Sequence, residues 1–202
     1  MNAKQIYENT LLHTVTSKRH SEEWKIERIR LLISHGADPN AEVDGTYPIV
    51  KAAFMREYKI VELLLDEYGV DLAKADTEGN TALMFASFDG DAGNANVIDM
   101  MLMRGGTDAI NLENKNGDTA LMIAAYNGNS KAAHLLVGYG ALAGKRNKKG
   151  IKASEYAERN GFHELANFLK IEETREDMLK KEGRVHMGTF VEAKPKIALR
   201  GN

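Results

Sequence analysis

GNTALMFAS at residues 79–87 and GDTALMIAA at residues 117–125 are two copies of one nine-residue segment. Two weaker copies, GTYPIVKAA from residue 45 and GIKASEYAE from residue 150, align with them without gaps. Their leading glycines therefore lie 34, 38 and 33 residues apart. A fixed period of this length indicates a repeat protein in which every unit has the same small set of secondary-structure elements. A degenerate earlier copy, NTLLHTV, begins at residue 9.

Two helices are expected in each unit. Every copy is followed by a second apolar stretch that ends at a turn, such as IVELLLDEYGVD or AAHLLVGYGA. A further glycine, at Gly90, Gly128 and Gly161, ends the first helix in three of the units. Thr81 and Thr119 stand directly before that helix, where a hydroxyl oxygen accepts an otherwise unpaired backbone N–H. The sequence therefore predicts a helix pair per unit, with these threonines as N-caps.

These segments resemble ankyrin repeats, whose pattern runs GxTPLHxAA, then GH, then IVxLLL, then GADxN, and every unit meets it in part. The resemblance implies an all-α ankyrin-repeat solenoid of five stacked helix pairs with projecting hairpin fingers. It covers residues 4–170, in units at about 4–42, 43–75, 76–113, 114–146 and 147–170. Residues 171–202 form a C-terminal extension, for which the sequence predicts a short charged helix ending near Gly183, followed by an extended arm.

The units depart from the family pattern in three ways. Only His13 retains the histidine that in ankyrin repeats hydrogen-bonds across the finger, which predicts less firmly held fingers. Tyr47 replaces a capping threonine, although Pro48 keeps the proline at the first helical position. In the last unit, Ser154 and Glu155 stand where the preceding unit has apolar residues. Because a solenoid needs polar outer faces at its ends, we expect this unit to be a cap.

Composition excludes several classes of protein. The 202 residues include 27 Lys+Arg and 29 Asp+Glu, so the net charge of −2 provides no overall attraction to nucleic acid or anionic lipid. No cysteine is present, which excludes thiolate ligands and cysteine nucleophiles. No segment approaches the roughly 20 apolar residues of a membrane span. We therefore expect a cytoplasmic protein with no membrane partner, monomeric on its own.

Catalytic patterns are missing as well. The six histidines lack a metal-ligand spacing such as HExxH, and the glycines form turns instead of a phosphate-binding loop. No serine stands in a GxSxG elbow, and no carboxylate pair has apolar surroundings. The sequence thus predicts no catalytic residue, no metal and no cofactor. A deep pocket with converging carboxylates or histidines would revive the hypothesis of an enzyme.

An aromatic row is the feature that points to function. Near the end of the first helix, three successive units carry Phe54, Phe88 and Tyr126 at equivalent positions. In an ankyrin stack these positions line the concave groove, and aromatic and arginine side chains are enriched at binding hot spots. We therefore expect another protein to bind this row, with Met55 and Arg159 beside it. The alternative is that the rings cover the junction between helix and finger, with no partner.

The finger tips are expected to set specificity. The residues are Asp44, Glu78, Asn80, Lys115, Asp118 and Lys148. Charge changes from acidic in the first finger to basic in the last, where five cations lie between Lys145 and Lys152. The alternative function is binding of nucleic acid or a phosphorylated ligand around Lys148, although nucleic acid is the less favoured partner. The role as adaptor, scaffold, effector or inhibitor of the immunity type stays open, as does whether the arm contacts the groove, another copy or the partner.

Overall fold

The computed structural model describes residues 2–88 and 92–183, and only the backbone of residues 92–94. The arm expected beyond Gly183 lies outside these residues. Within them, the chain forms ten α-helices in five consecutive pairs and no β-strand. The helices are α1 (Ala3–Thr16), α2 (Glu22–Ser34), α3 (Pro48–Phe54), α4 (Tyr58–Tyr68), α5 (Ala82–Ser87), α6 (Ala92–Met101), α7 (Ala120–Tyr126), α8 (Ser130–Gly138), α9 (Ala153–Arg159) and α10 (His163–Lys181). A turn, Leu102–Gly106, follows α6, and the backbone leaves helical geometry at Arg104 and Gly105.

The first helix of most units is only six or seven residues long. Such a helix is not stable alone, so its start must be fixed and its face buried. Thr81 and Thr119 are N-caps as predicted, because their hydroxyl oxygens accept the backbone N–H of Met84 at 3.3 Å and of Met122 at 3.4 Å. Tyr47 makes no side-chain cap bond, and Pro48 begins α3 instead.

Burial comes from contacts between neighbouring units. The first helices pack in the series α3, α5, α7 and α9, and the second helices in the series α2, α4, α6 and α8. Ala53 and Ala125 are at most 2% exposed, so their small side chains let adjacent helices approach closely, while Leu64 and Leu136 are fully buried behind them. One continuous core results. Stability is therefore a property of the interfaces, not of single units.

Helix α10 corrects the expected boundary at residue 170. The sequence predicts that the last unit ends there and is followed by a short charged helix. The structure instead has a single helix of 19 residues from His163 to Lys181. No glycine or proline interrupts this stretch, and its buried positions continue at helical spacing from Leu165 and Leu169 to Glu176. Residues 171–181 therefore belong to the second helix of the last pair.

The same helix corrects the expectation of a polar outer face at Ser154. This serine is only 2% exposed, and its hydroxyl donates to the carboxylate of Glu173 in α10. Lys152 Nζ lies 2.7 Å from the same carboxylate. The polar substitution in the last unit thus fits a contact with α10, whose far side faces the solvent.

A buried carboxylate fastens α10 to the fourth unit. Glu176 accepts the backbone N–H of Ala143 at 2.5 Å and that of Gly144 at 3.1 Å. Burial raises the pKa of Glu176, against the two N–H donors and the nearby Lys180, which lower it. The carboxylate is the acceptor for two backbone donors that have no other partner in the loop after α8.

We expect Glu176→Ala to lower the free energy of unfolding by about 1–3 kcal/mol, because a buried N–H loses its acceptor. Urea unfolding followed by circular dichroism measures the change. Asp177→Ala is the control, since its side chain is 65% exposed on the same helix. Its cost should stay within about 0.5 kcal/mol. Equal losses for the two variants would show that the contact with the fourth unit contributes nothing.

Candidate protein-binding groove

Three of the fingers are closed by an asparagine or aspartate. Asp76, Asn114 and Asn147 each use Oδ1 to accept the backbone N–H groups two and four residues ahead, at 2.8–3.0 Å. These side chains fix the turn locally, as short polar side chains do in Asx turns. The signal is present in the sequence as an Asp or Asn three residues before the finger glycine.

The fingers are also joined to one another. A backbone hydrogen bond links each to the next: Thr77 N to Gly45 O at 2.9 Å, Lys115 N to Glu78 O at 2.8 Å, and Lys148 N to Asn116 O at 3.0 Å. The fingers are therefore connected to one another although only His13 retains the family's histidine. Turn bonds within each finger and backbone bonds between fingers provide the support that the family's histidine provides elsewhere.

Asn80 and Asp118 lie between fingers, half-buried. Asn114 Nδ2 donates to Asn80 Oδ1 at 3.0 Å, and Asn147 Nδ2 donates to Asp118 Oδ1 at 2.6 Å. The hydroxyl of Tyr156 donates to the same Asp118 oxygen at 3.2 Å. Burial and then the negative charge of Asp118 raise the pKa of Tyr156. Asn80 and Asp118 thus take part in holding the fingers together.

The three aromatic residues face the solvent. Phe54, Phe88 and Tyr126 are 54%, 58% and 53% exposed and occupy equivalent positions at the ends of α3, α5 and α7. Arg159 continues the row in α9 and is exposed, with its guanidinium 3.7 Å from Glu155. Met55 is half-buried at the end of α3.

A second row lies one helical turn earlier and was missed in the sequence. Its members, three residues before those of the first row, are Lys51, Phe85, Ile123 and Tyr156. The rows touch across units: the ring centroids of Phe54 and Phe85 are 5.2 Å apart, and those of Tyr126 and Tyr156 are 5.5 Å apart, both edge to face. Lys51 Nζ lies 5.2 Å from the Phe54 centroid. The spacing of three residues, which places side chains on one helix face, is the signal that would have revealed this row.

A depression of about 420 Å³ lies where these rows meet the fingers. We call it the aromatic groove. Its apolar lining includes Phe85, Phe88, Ile123 and Tyr126, and Lys149 of the last finger also lines it. Asn80 and Asp118 also line it. Phe54, Met55 and Asp44 are not among the lining residues, so the structure brings only part of the expected site into one cavity.

Most of the cations in the basic finger have carboxylate partners. The pairs are Lys145 with Glu113 at 2.9 Å, Arg146 with Glu155 at 3.2 Å, and Lys152 with Glu173 at 2.7 Å. Lys115 pairs with Glu78 at 3.3 Å in the preceding fingers. Lys148 and Lys149 are exposed and form no ion pair with any described residue. Asp44, exposed on the first finger, likewise has no ion pair within the described part of the chain.

Residues 2–88 and 92–183 contain no group of three His, Asp or Glu side chains placed to hold a metal ion. In that part of the chain, no helix combines the length and the apolar run needed to cross a bilayer.

Comparison with known families agrees with the repeat geometry. The family model described as "Ankyrin repeats (3 copies)" matches residues 25–109 and 83–181. The chain belongs to the ankyrin-repeat family. The all-α ankyrin-repeat solenoid expected from the sequence is thereby confirmed, and the match extends to the end of α10. Ankyrin repeats are generally protein–protein interaction modules, and the family is typically non-catalytic. No curated protein matches the chain.

Proposed function

We propose that this ankyrin-repeat protein is a non-catalytic protein-binding module whose partner occupies the concave face along the aromatic row. The observation that carries the proposal is the exposure of Phe54, Phe88 and Tyr126, each more than half accessible at equivalent positions of successive units. Single exposed apolar side chains are ordinary on a protein surface, whereas an aligned row with a groove beside it is typical of an interaction site.

Two of the three rings, those of Phe54 and Tyr126, also contact a neighbouring ring within the chain. Phe85 supports Phe54, and Tyr156 supports Tyr126, through edge-to-face contacts. A side chain that is already ordered loses less rotamer entropy on binding, which favours affinity. Each ring contributes about 1.5–3 kcal/mol when a partner buries it fully. The exposure of the rings counts against the alternative in which they only cover the junction of helix and finger.

Specificity in this proposal comes from the exposed finger tips: Asp44, Glu78, Lys115 and Lys148. Asn80 and Asp118 act mainly by holding the fingers in register. Arg159 and Met55 flank the aromatic row. The roles of adaptor, scaffold, effector and inhibitor all use such a surface in the same way.

The alternative of a nucleic-acid or phosphorylated ligand draws less support from the charges. Three of the five cations between Lys145 and Lys152 already contact carboxylates. Phosphate binding depends on the number of free cations, with a logarithmic salt slope of about 0.9 per phosphate neutralised on duplex DNA. Two free lysines, Lys148 and Lys149, provide only a weak electrostatic contact of this kind.

We expect Phe88→Ala and Tyr126→Ala each to weaken partner binding by at least about tenfold, the equivalent of roughly 1.4 kcal/mol. The partner is isolated with the wild-type protein as bait, and it is identified because it does not bind the variant that carries both substitutions. Its Kd for each single variant is then measured by calorimetry. Met103→Ala is the matched control, because Met103 is 60% exposed on the turn after α6, outside the groove.

The same variants distinguish binding from structural roles. Since both rings are more than half exposed, their removal should leave the midpoint of thermal unfolding nearly unchanged. A large fall in Tm with unchanged affinity would make the rings structural. Equal loss of binding in Met103→Ala would place the partner elsewhere on the molecule.

A further inference from the structure

We infer that the aromatic groove takes an acidic and apolar segment of a partner protein, with one apolar side chain between Phe88 and Tyr126 and a carboxylate on Lys149. This inference rests on the proposed function and specifies the chemistry of the partner. It follows from the charges that remain unpaired around the groove and from the shape of its apolar side.

Carboxylates near the groove are already engaged. Asp118 accepts hydrogen bonds from Asn147 and Tyr156. Glu155 contacts the guanidinium groups of Arg146 and Arg159, at 3.2 and 3.7 Å. The charge of Glu155 is paired with cations of the chain, and one oxygen of Asp118 is occupied by two donors, although Asp118 keeps its negative charge.

Two ammonium groups of the last finger have no carboxylate partner among the described residues. Lys148 and Lys149 are adjacent, exposed and without an ion pair among the described residues. Their backbone N–H groups bond to Asn116 and Asn147, so the finger that carries them is fixed. Two neighbouring positive charges on a fixed backbone favour an anionic group beside them, and Lys149 lines the groove itself.

The apolar lining of the groove indicates that the partner also provides an apolar side chain. Phe88 and Tyr126 are exposed, and Phe85 and Ile123, which also line the groove, are half-buried. The volume of about 420 Å³ lies within the range of about 300–1,000 Å³ in which pockets enclose a ligand group. An aliphatic or aromatic side chain of the partner occupies part of such a space, and a carboxylate near it in the partner's sequence reaches Lys149.

The negative charge on the first finger indicates which end of the partner segment carries the carboxylates. Asp44 is exposed and has no cation paired with it in the described residues, and it lies on the finger before α3, while Lys149 lies on the finger before α9. A segment that is acidic along its whole length meets repulsion at Asp44. The carboxylates are therefore expected at the end of the segment that contacts the fifth unit.

A displayed library of random twelve-residue peptides tests the inference with the full-length protein. Peptides selected on the wild-type protein are expected to carry an aliphatic or aromatic residue within three positions of an aspartate or glutamate. The Kd of a labelled selected peptide, measured by fluorescence anisotropy, should rise at least tenfold with Lys149→Glu and with Phe88→Ala. Lys149→Arg should retain most of the affinity, because it keeps the charge. Lys131→Glu, an equal charge change at an exposed residue of α8, should leave the Kd unchanged.

Each result decides between the two proposals. Peptides that need Phe88 but are insensitive to Lys149→Glu, or that are enriched in lysine and arginine, overturn this inference and leave the proposed function intact. Peptides whose Kd is unchanged by Phe88→Ala and Tyr126→Ala contradict both this inference and the proposed function. A library that yields no binder does the same. A labelled twelve-nucleotide oligothymidine that binds the wild type more tightly than the peptides do, and is lost with Lys149→Glu, assigns these lysines to nucleic acid and overturns the inference.

Discussion

Gly117→Ala is expected to lower the free energy of unfolding by about 3 kcal/mol, against about 1 kcal/mol for Gly150→Ala. The two glycines hold the same place in successive fingers and have nearly the same backbone, with φ of +79° and +75°. The left-handed conformation therefore penalises a side chain equally at both positions. Any difference in the free energy of unfolding between the two variants therefore comes from the atoms around the added methyl group.

Those surroundings differ because only one of the fingers has a neighbour on that side. A Cβ atom at Gly117 would lie 2.7 Å from the backbone nitrogen of Lys148, whereas at Gly150 no atom lies within 4 Å. The nitrogen cannot easily move away, since its N–H bonds to Asn116 O at 3.0 Å. Relief of the clash requires the last two fingers to separate.

Chemical unfolding of both variants measures the difference. Gly79→Ala provides an intermediate case, because its Cβ would lie 3.0 Å from the Cα of Asn114. We expect the order Gly117, Gly79, Gly150 from the largest to the smallest loss. Equal losses at Gly117 and Gly150 would mean that the fingers do not pack against one another in solution.

Asn147→Ala should cost a similar amount, about 3 kcal/mol, because several partly buried groups lose a hydrogen bond together. Its Oδ1 accepts the N–H groups of Lys149 and Ile151, and its Nδ2 donates to Asp118 and Tyr156. The side chain is only 6% exposed, so water does not replace these partners without rearrangement. Urea unfolding at neutral pH provides the measurement.

A second variant separates the turn bonds from the contact with Asp118. Asn147→Asp keeps both acceptor bonds of the turn but replaces the amide donor, 2.6 Å from Asp118, with a carboxylate. Repulsion between the two carboxylates raises a pKa in the folded state above its unfolded value. The folded protein then binds more protons than the unfolded protein. The free energy of unfolding of this variant should therefore rise as the pH falls from 7 toward the pKa of carboxyl groups in the unfolded chain.

Asp76→Asn is the matched control. Asp76 holds the same place two fingers earlier, and its turn bonds need only the Oδ1 oxygen that asparagine also has, while its Oδ2 accepts one long bond of 3.4 Å from Asn80 Nδ2. Its effect should stay within about 0.5 kcal/mol and show no gain in acid. If Asn147→Asp is as stable as the wild type at pH 7, the bond to Asp118 does not hold the last two fingers together.

The sequence predicted best where a pattern repeats in each unit. Thr81 and Thr119 follow from their place before an apolar run, and the alignment of the units placed Phe54, Phe88 and Tyr126 at equivalent positions. The second row at Lys51, Phe85, Ile123 and Tyr156 follows from the same alignment plus one helical turn. The boundary expected after Lys170 does not coincide with a helix end. It was placed where the composition changes, whereas no helix-breaking residue lies there.

What the sequence by itself determined is the repeat: its period, its helix pairs, its caps and the register that aligns the rings. Each of these depends on residues a few positions apart, where covalent geometry fixes the spacing. Only the tertiary structure decided which charged groups remain free. The partners of Lys145, Lys152 and Asp118 lie 32, 21 and 29 residues away in the chain. Such pairs depend on how far one unit is rotated and shifted against the next, and side-chain packing across the interface sets that geometry.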